Sequence, residues 1–362
     1  MKKMQILAAL LCACILCGCN RIFDGSYSSV TPHSIPSAAP EVQEKYSAKD
    51  RDELYAVVEK LVHNGLSSAV IDVAAYDQQS IEEDAQWVSR VALEDDPIAA
   101  YAVETIQFDS QMKASKPALS VTVAYRSDRG PVRSIQYVNN MQTAAAVIRQ
   151  ALDRCDAGVV MYIHDYQQTD FEKIVADYAQ AMPQMVMEQP QVAVGIYPEQ
   201  GTTRVVELKL SYRTERETLL WMQEEVEPVF ESAKLYISGT AEPSREYEQL
   251  AAFLTQRFDY QLAPSVTPAY SLLCQGIGDS RAFAVIYAAM CKQSGLDCIV
   301  VSGKKNGQSH TWNMVCIDES YYHVDLTQTE FRLWANSQMS GYVWAYQSYP
   351  TCSGPMLERI GE

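Results

Sequence analysis

The residues most suited to chemistry lie in the last third of the chain. They fall in three short segments: Gly276-Ile-Gly278-Asp-Ser280, then Ser309-His310-Thr-Trp312-Asn313, then Tyr321-Tyr322-His323-Val324-Asp325-Leu-Thr327. By type, Ser280, His310 and Asp325 make a Ser-His-Asp set. That combination can move an acyl group when a hydroxyl, an imidazole and a carboxylate meet in space. A thiol is the other nucleophile to weigh, and the chain holds ten cysteines. Four lie before residue 20; Cys155, Cys274, Cys291, Cys298, Cys316 and Cys352 are in the body. Their spacings match no metal site, and most fall in apolar patterns where a buried, inert thiol is the ordinary outcome. Nothing in the sequence points to a nucleotide, haem or metal cofactor.

The elements that must position these residues are readable from their surroundings. A small-residue turn precedes a helix running to Ser294, with Phe283, Tyr287, Met290 and Cys291 on its apolar face and Gly295 as its C-terminal cap. A strand follows through Cys298 to Val301, then the His310 strand, a turn near Asp318 and Glu319, and the Asp325 strand. An upstream helix ending at Phe258-Asp259-Tyr260 and a tail with Trp344 and Tyr349-Pro350 complete the region. Ser280 suits the N-cap of the central helix.

These pieces, over about residues 243 to 352, together resemble the bacterial transglutaminase-like domain, a papain-like fold. The resemblance implies that His310 is the base, that Asp325 is the carboxylate orienting it, and that Trp312 and Asn313 hold the His310 strand against the helix. The position of the family's cysteine falls on Ser280. A thiolate forms readily beside an imidazolium at a helix start, whereas a serine hydroxyl needs a base placed for its proton in flight. The resemblance therefore implies a domain that has lost its nucleophile and binds a peptide, a protein or a cell-wall peptide in the former substrate cleft. The rivals are an acyl-transfer enzyme or peptidase using Ser280, His310 and Asp325, a migrated nucleophile at Cys274, and a structural protein of the cell envelope. His323 and His164 read as ordinary, partly buried histidines.

The preceding sequence reads as a duplication. Ala69-Val-Ile-Asp-Val-Ala-Ala-Tyr76 aligns with Val159-Val-Met-Tyr-Ile-His-Asp-Tyr166, each followed by an acidic amphipathic helix. Strands are expected near Ala99 to Ile106 and Leu119 to Tyr125 in one copy, and over Gln191 to Tyr197 and Thr203 to Tyr212 in the other. Each copy ends in a helix, one carrying Ala144, Val147, Ile148, Ala151, Leu152 and Cys155, the other Leu219, Met222, Val226 and Val229. A helix over Asp52 to Leu61 precedes the first copy. Leu235-Tyr-Ile-Ser238 and a helix over Ser244 to Arg257 read as the start of a third. The expected fold is α+β: modules over 47–157 and 158–235, then the transglutaminase-like region over 236–362.

Residues 1–18 read as an address. Lys2 and Lys3 precede an apolar run from Ile6 to Leu16, too short for a permanent span. Leu16-Cys17-Gly18-Cys19 resembles a bacterial lipobox, which implies a lipid on Cys19, a tether to the membrane and an extracytoplasmic location. The Ser-, Pro- and Ala-containing stretch over 19–46 suits a solvated spacer. The formal charge of −16 over 362 residues argues against nucleic acid, which needs a basic stripe.

Overall fold

The computed structural model describes residues 45–113, 115–237 and 242–353. The leader, Cys19 and nearly all of the expected spacer lie outside the described residues.

The first module opens with β1 (Tyr46–Ser47) and α1 (Arg51–His63). The Asp50 side chain accepts from the Glu53 amide at 3.0 Å and starts the helix, and Leu54, Val58, Leu61 and Val62 recur at helical spacing and are buried. Then follow β2 (Ser68–Asp72), α2 (Ile81–Asp95), α3 (Pro97–Ala102), β3 (Val103–Lys113) and β4 (Lys116–Tyr125). The sheet order is β1-β2-β4-β3, with β1 parallel to β2 and the other pairs antiparallel. The strand expected from Ala99 begins only at Val103, because Asp96-Pro97 is a helix start. Asp96 accepts from the Ala99 amide at 2.7 Å, and Pro97 occupies the first helical turn, where its missing N–H is harmless.

The second module repeats the plan with β5 (Gln136–Asn140), α4 (Met141–Asp153), β6 (Gly158–Asp165), α5 (Phe171–Ala181), β7 (Gln191–Tyr197) and β8 (Arg204–Ser211). Its order, β5-β6-β8-β7, is that of the first sheet. The registers agree: Tyr46 lies opposite Ile71, and Gln136 opposite Met161. The second sheet therefore begins before the boundary at 157 that the sequence pattern suggests. The helix over Met141–Asp153 opens the second sheet beside β5, as α1 does in the first, rather than closing the first copy at 157. A two-residue edge strand such as β1 leaves no periodic signal to mark where the unit begins.

α6 (Arg216–Tyr236) continues through Pro228, so Leu235 and Tyr236 are helical rather than the start of a strand; Ser238 lies outside the described residues. Its buried residues Leu219, Val226, Phe230 and Ala233 join the core of the C-terminal domain with Tyr247, Leu250, Phe283 and Ile286. That domain contains α7 (Pro243–Thr255), β9 (Asp259–Tyr260), α8 (Pro268–Gln275), β10 (Ile277–Gly278), α9 (Ser280–Gln293), β11 (Cys298–Lys305), β12 (Gln308–Ile317), β13 (Ser320–Val324) and β14 (Tyr342–Trp344). The last four strands form an antiparallel sheet in the order β13-β12-β11-β14. α9 is buried on nearly every side from Ala282 to Cys291, which marks it as a core helix rather than a surface one. The fold is α+β.

Candidate functional site

The site is assembled from the start of α9, from β11, β12 and β14, and from the residues that directly follow β13. At the helix start the cap is Asp279, whose carboxylate accepts from the Ala282 amide at 2.8 Å. Ser280 is thus the first helical residue and not the cap that its type suggests. Two adjacent residues both favour that role, and the reach from side chain to the amide three positions on decides for Asp279. Ser280 is buried, and its Oγ accepts from the Thr311 amide at 3.3 Å. The amides of Ser280 and Arg281 belong to the first turn, where no intrahelical acceptor exists, so the helix presents N–H groups and positive partial charge beside Oγ.

β11 and β12 are joined by Asn306-Gly307, both at positive φ, a tight hairpin turn that aligns Gly303 with His310 and Lys305 with Gln308. β12 and β13 are joined through Asp318 and Glu319, also at positive φ, where a turn was expected. These two turns bring His310 and Asp325 together: Nε2 of the buried His310 lies 2.9 Å from Asp325 Oδ2. With Nε2 so engaged, Nδ1 is the ring nitrogen left for a ligand or nucleophile. Among the described residues, Ser280 Oγ has no hydrogen bond to His310.

Asp325 is the most heavily bonded group of the site. Its Oδ2 accepts from Lys305 Nζ at 2.9 Å, Tyr342 OH at 2.6 Å and Gln328 Nε2 at 3.1 Å as well as facing His310. Its Oδ1 accepts from Thr327, through the amide at 3.0 Å and Oγ1 at 2.8 Å. Burial pushes its carboxyl up, but the hydrogen bonds from His310 and Tyr342, the charge of His310 and the Lys305 contact outweigh it, and the group is held far below the usual carboxylate range. The Tyr342 phenol is pushed up by burial and then by Asp325. Tyr260, on β9, is raised by burial and then by the charges of Asp325 and Asp279.

Behind this set, Trp312 stacks on His310 with ring centroids 6.2 Å apart and donates from Nε1 to His323 Nδ1 at 2.9 Å. The other nitrogen of His323 faces Asn336 Oδ1 at 2.9 Å, so the ring is a neutral Nε2–H donor, and burial lowers its pKa. Asn313 Nδ2 donates to the Ala284 carbonyl at 2.8 Å and ties β12 to α9. Cys274 stands on α8, exposed, its thiol raised by burial and then by Glu225. His164 is distant in the fold, with Nδ1 3.3 Å from Thr203 Oγ1.

The transglutaminase-like superfamily matches residues 232–326. Residues 232–326 form a transglutaminase-like domain. Solved structures that resemble the chain include a TGase at 11% identity and a TM-score of 0.27, the match covering 61% of this chain and 63% of that one. A proposed cysteine protease from Cytophaga hutchinsonii matches at 12% identity and a TM-score of 0.28, over 43% of this chain and 65% of its own. LapG from Legionella pneumophila matches at 15% identity and a TM-score of 0.25, over 36% and 72% of the two chains. The chain thus spans less than two thirds of the first two structures. No curated protein matches the sequence.

Lys305, Tyr342 and Gln328 are the site residues that sequence reasoning missed. The Asn306-Gly307 turn was a usable signal for Lys305, because it fixes the hairpin register beside His310. Tyr342 carried none, since β14 reaches the site only by pairing with β11.

Proposed function

We propose that the transglutaminase-like domain binds an extended peptide or protein segment, including cell-wall peptide, in the cleft beside Ser280 and does not turn it over. In this reading Ser280 stands where the family has its cysteine. The carrying observation is that the Ser280 Oγ accepts from the Thr311 amide and makes no hydrogen bond to His310, whose Nδ1 faces no partner among the described residues although Asp325 already holds Nε2. A serine nucleophile depends on that coupling far more than a thiol does, because its proton must leave as the bond forms. A lipid on Cys19 would tether the protein to the membrane outside the cytoplasm, and the low pI of 4.8 suits a ligand that is not nucleic acid.

The preserved contact between His310 and Asp325 favours a second reading, an acyl-transfer enzyme or peptidase in which substrate draws Ser280 toward His310 Nδ1. An acyl-directed activity probe on wild type and Ser280→Ala, with mass spectrometry of the modified residue, separates the two. The binding reading expects no adduct on wild type and peptide affinity that survives Ser280→Ala. An adduct on Ser280 overturns it in favour of the enzyme. Wild type that binds none of a set of stem and protein-derived peptides also overturns it.

A further inference from the structure

The arrangement around Asp325 contains one cation that orienting His310 does not require. Lys305 ends β11, directly before the Asn306-Gly307 turn, and places Nζ 2.9 Å from the same Oδ2 that faces His310 Nε2. The Asp325 side chain is fully buried, and that of Lys305 is 25% exposed. The ammonium also lies over the Tyr342 ring, 5.1 Å from its centroid. Oδ2 therefore faces four donors, from Lys305, Tyr342, Gln328 and His310, although an ionised carboxylate offers about two lone-pair directions on each oxygen. The donors compete.

In a dyad that activates a nucleophile, the carboxylate steadies the imidazolium that appears when the ring takes a proton. Here that negative charge is already opposed by an ammonium in contact with the same oxygen, and an ammonium and an imidazolium meeting one oxygen repel each other. We infer that Lys305 is a positioning residue that withholds the Asp325 charge from His310 and so sets the cleft against forming an imidazolium. The inference rests on the binding reading above and supplies a second reason for it. Lys305 meets Asp325 and the Tyr342 ring and acts on His310 through Asp325. The other groups facing the pair are Tyr342 and Gln328, Thr327 on Oδ1, and Tyr260 with Asp279 at the helix start.

The test installs a thiol. In Ser280→Cys, alkylation by iodoacetamide forms a sulfur–carbon bond as the carbon–iodine bond breaks and iodide leaves. The thiol proton passes to His310 Nδ1, so the rate at low pH reports how readily the thiolate–imidazolium pair forms. Removing the ammonium with Lys305→Met in that background should shift the pH–rate profile down by about one unit, a rise of about tenfold at pH 6. Lys305→Arg should keep the slow profile, and His310→Gln should abolish the low-pH limb. If Lys305→Met lowers the urea midpoint, Lys305→Gln, which keeps a donor without the charge, is read instead and should show the same shift. An unchanged or upward-shifted profile in the uncharged variants overturns the inference. Peptide affinity, measured on the protein with Ser280 intact, is the separate readout of the binding reading, so either can fail alone.

Discussion

Asp325→Asn isolates the contribution of charge from that of shape. The carboxylate faces His310, Lys305, Tyr342 and Gln328 on one oxygen and Thr327 on the other. The amide replaces one acceptor by a donor, leaving Lys305 without its counter-charge and His310 Nε2 without a carboxylate partner. Breaking one side of a buried charge pair costs about 3–5 kcal/mol. Lys305 is partly exposed and can turn toward water, so the lower end, about 3 kcal/mol at pH 7, is expected. The pH dependence has a definite sign. The folded-state carboxyl is held far below its unfolded value, so its stabilisation is complete above the unfolded pKa and is lost as pH falls through the range beneath it. The gap between wild type and variant should therefore narrow by about 1.3 kcal/mol on going from pH 7 to pH 3, as the unfolded carboxyl takes up its proton first. Urea unfolding followed by tryptophan fluorescence reads this, with Trp312, Trp334 and Trp344 reporting on the C-terminal sheet. A gap under about 1 kcal/mol at pH 7, or one of constant size down to pH 3, refutes the account of Asp325 as a charge hub.

Three further outcomes follow from packing and protonation. Gly303→Ala should lower stability by about 1–3 kcal/mol, because the added Cβ overlaps the Val343 carbonyl oxygen and meets Trp312 Cη2 at 2.9 Å; thermal unfolding checks it. Trp312→Phe should cost about 1–3 kcal/mol by leaving the buried His323 Nδ1 without its donor, measurable by urea titration. In the first module His63 Nε2 meets Asp96 at 2.7 Å; burial pulls the ring's pKa down, but the Asp96 contact and charge and the Glu59 charge carry it above its ordinary value. That stabilisation is complete below the unfolded histidine pKa and disappears as pH rises through the folded one, so the stability difference between wild type and His63→Gln should be larger at pH 6 than at pH 8.

The C-terminal site was legible because its motifs are local. The His310 and Asp325 strands and the turn between them are short stretches whose residue types stand out within a few positions, and the two side chains do meet in space. The long apolar run of α9 likewise marks a core helix by itself. What escaped depended on choices that the local sequence leaves nearly balanced. Ala99 to Ala102 suits helix or strand about equally until Asp96 and Pro97 are weighed as a start signal. α6 runs past the point where Pro228 and the apolar Leu235-Tyr-Ile suggest a break, because Phe230 and Ala233 are buried in the C-terminal core. Lys305 and Tyr342 meet Asp325 from two different strands, a convergence set by sheet register rather than by any spacing along the chain.

The displacement of the cap by one residue has a consequence for every experiment at position 280. Had Ser280 been the cap, Ser280→Ala would remove the acceptor for a first-turn amide and cost about 1 kcal/mol, and loss of binding or reactivity would be confounded with a frayed helix. With Asp279 satisfying Ala282, Ser280→Ala gives up only the 3.3 Å contact with the Thr311 amide. Asp279→Ala is expected to destabilise the domain by about 1 kcal/mol, and Ser280→Ala by about half that or less. Urea midpoints of the two variants decide the matter, and the reverse order would return the cap to Ser280. The expected order leaves the hydroxyl free of a duty to the helix, and its replacement by hydrogen or by a thiol then reports on the chemistry of the cleft rather than on its scaffold.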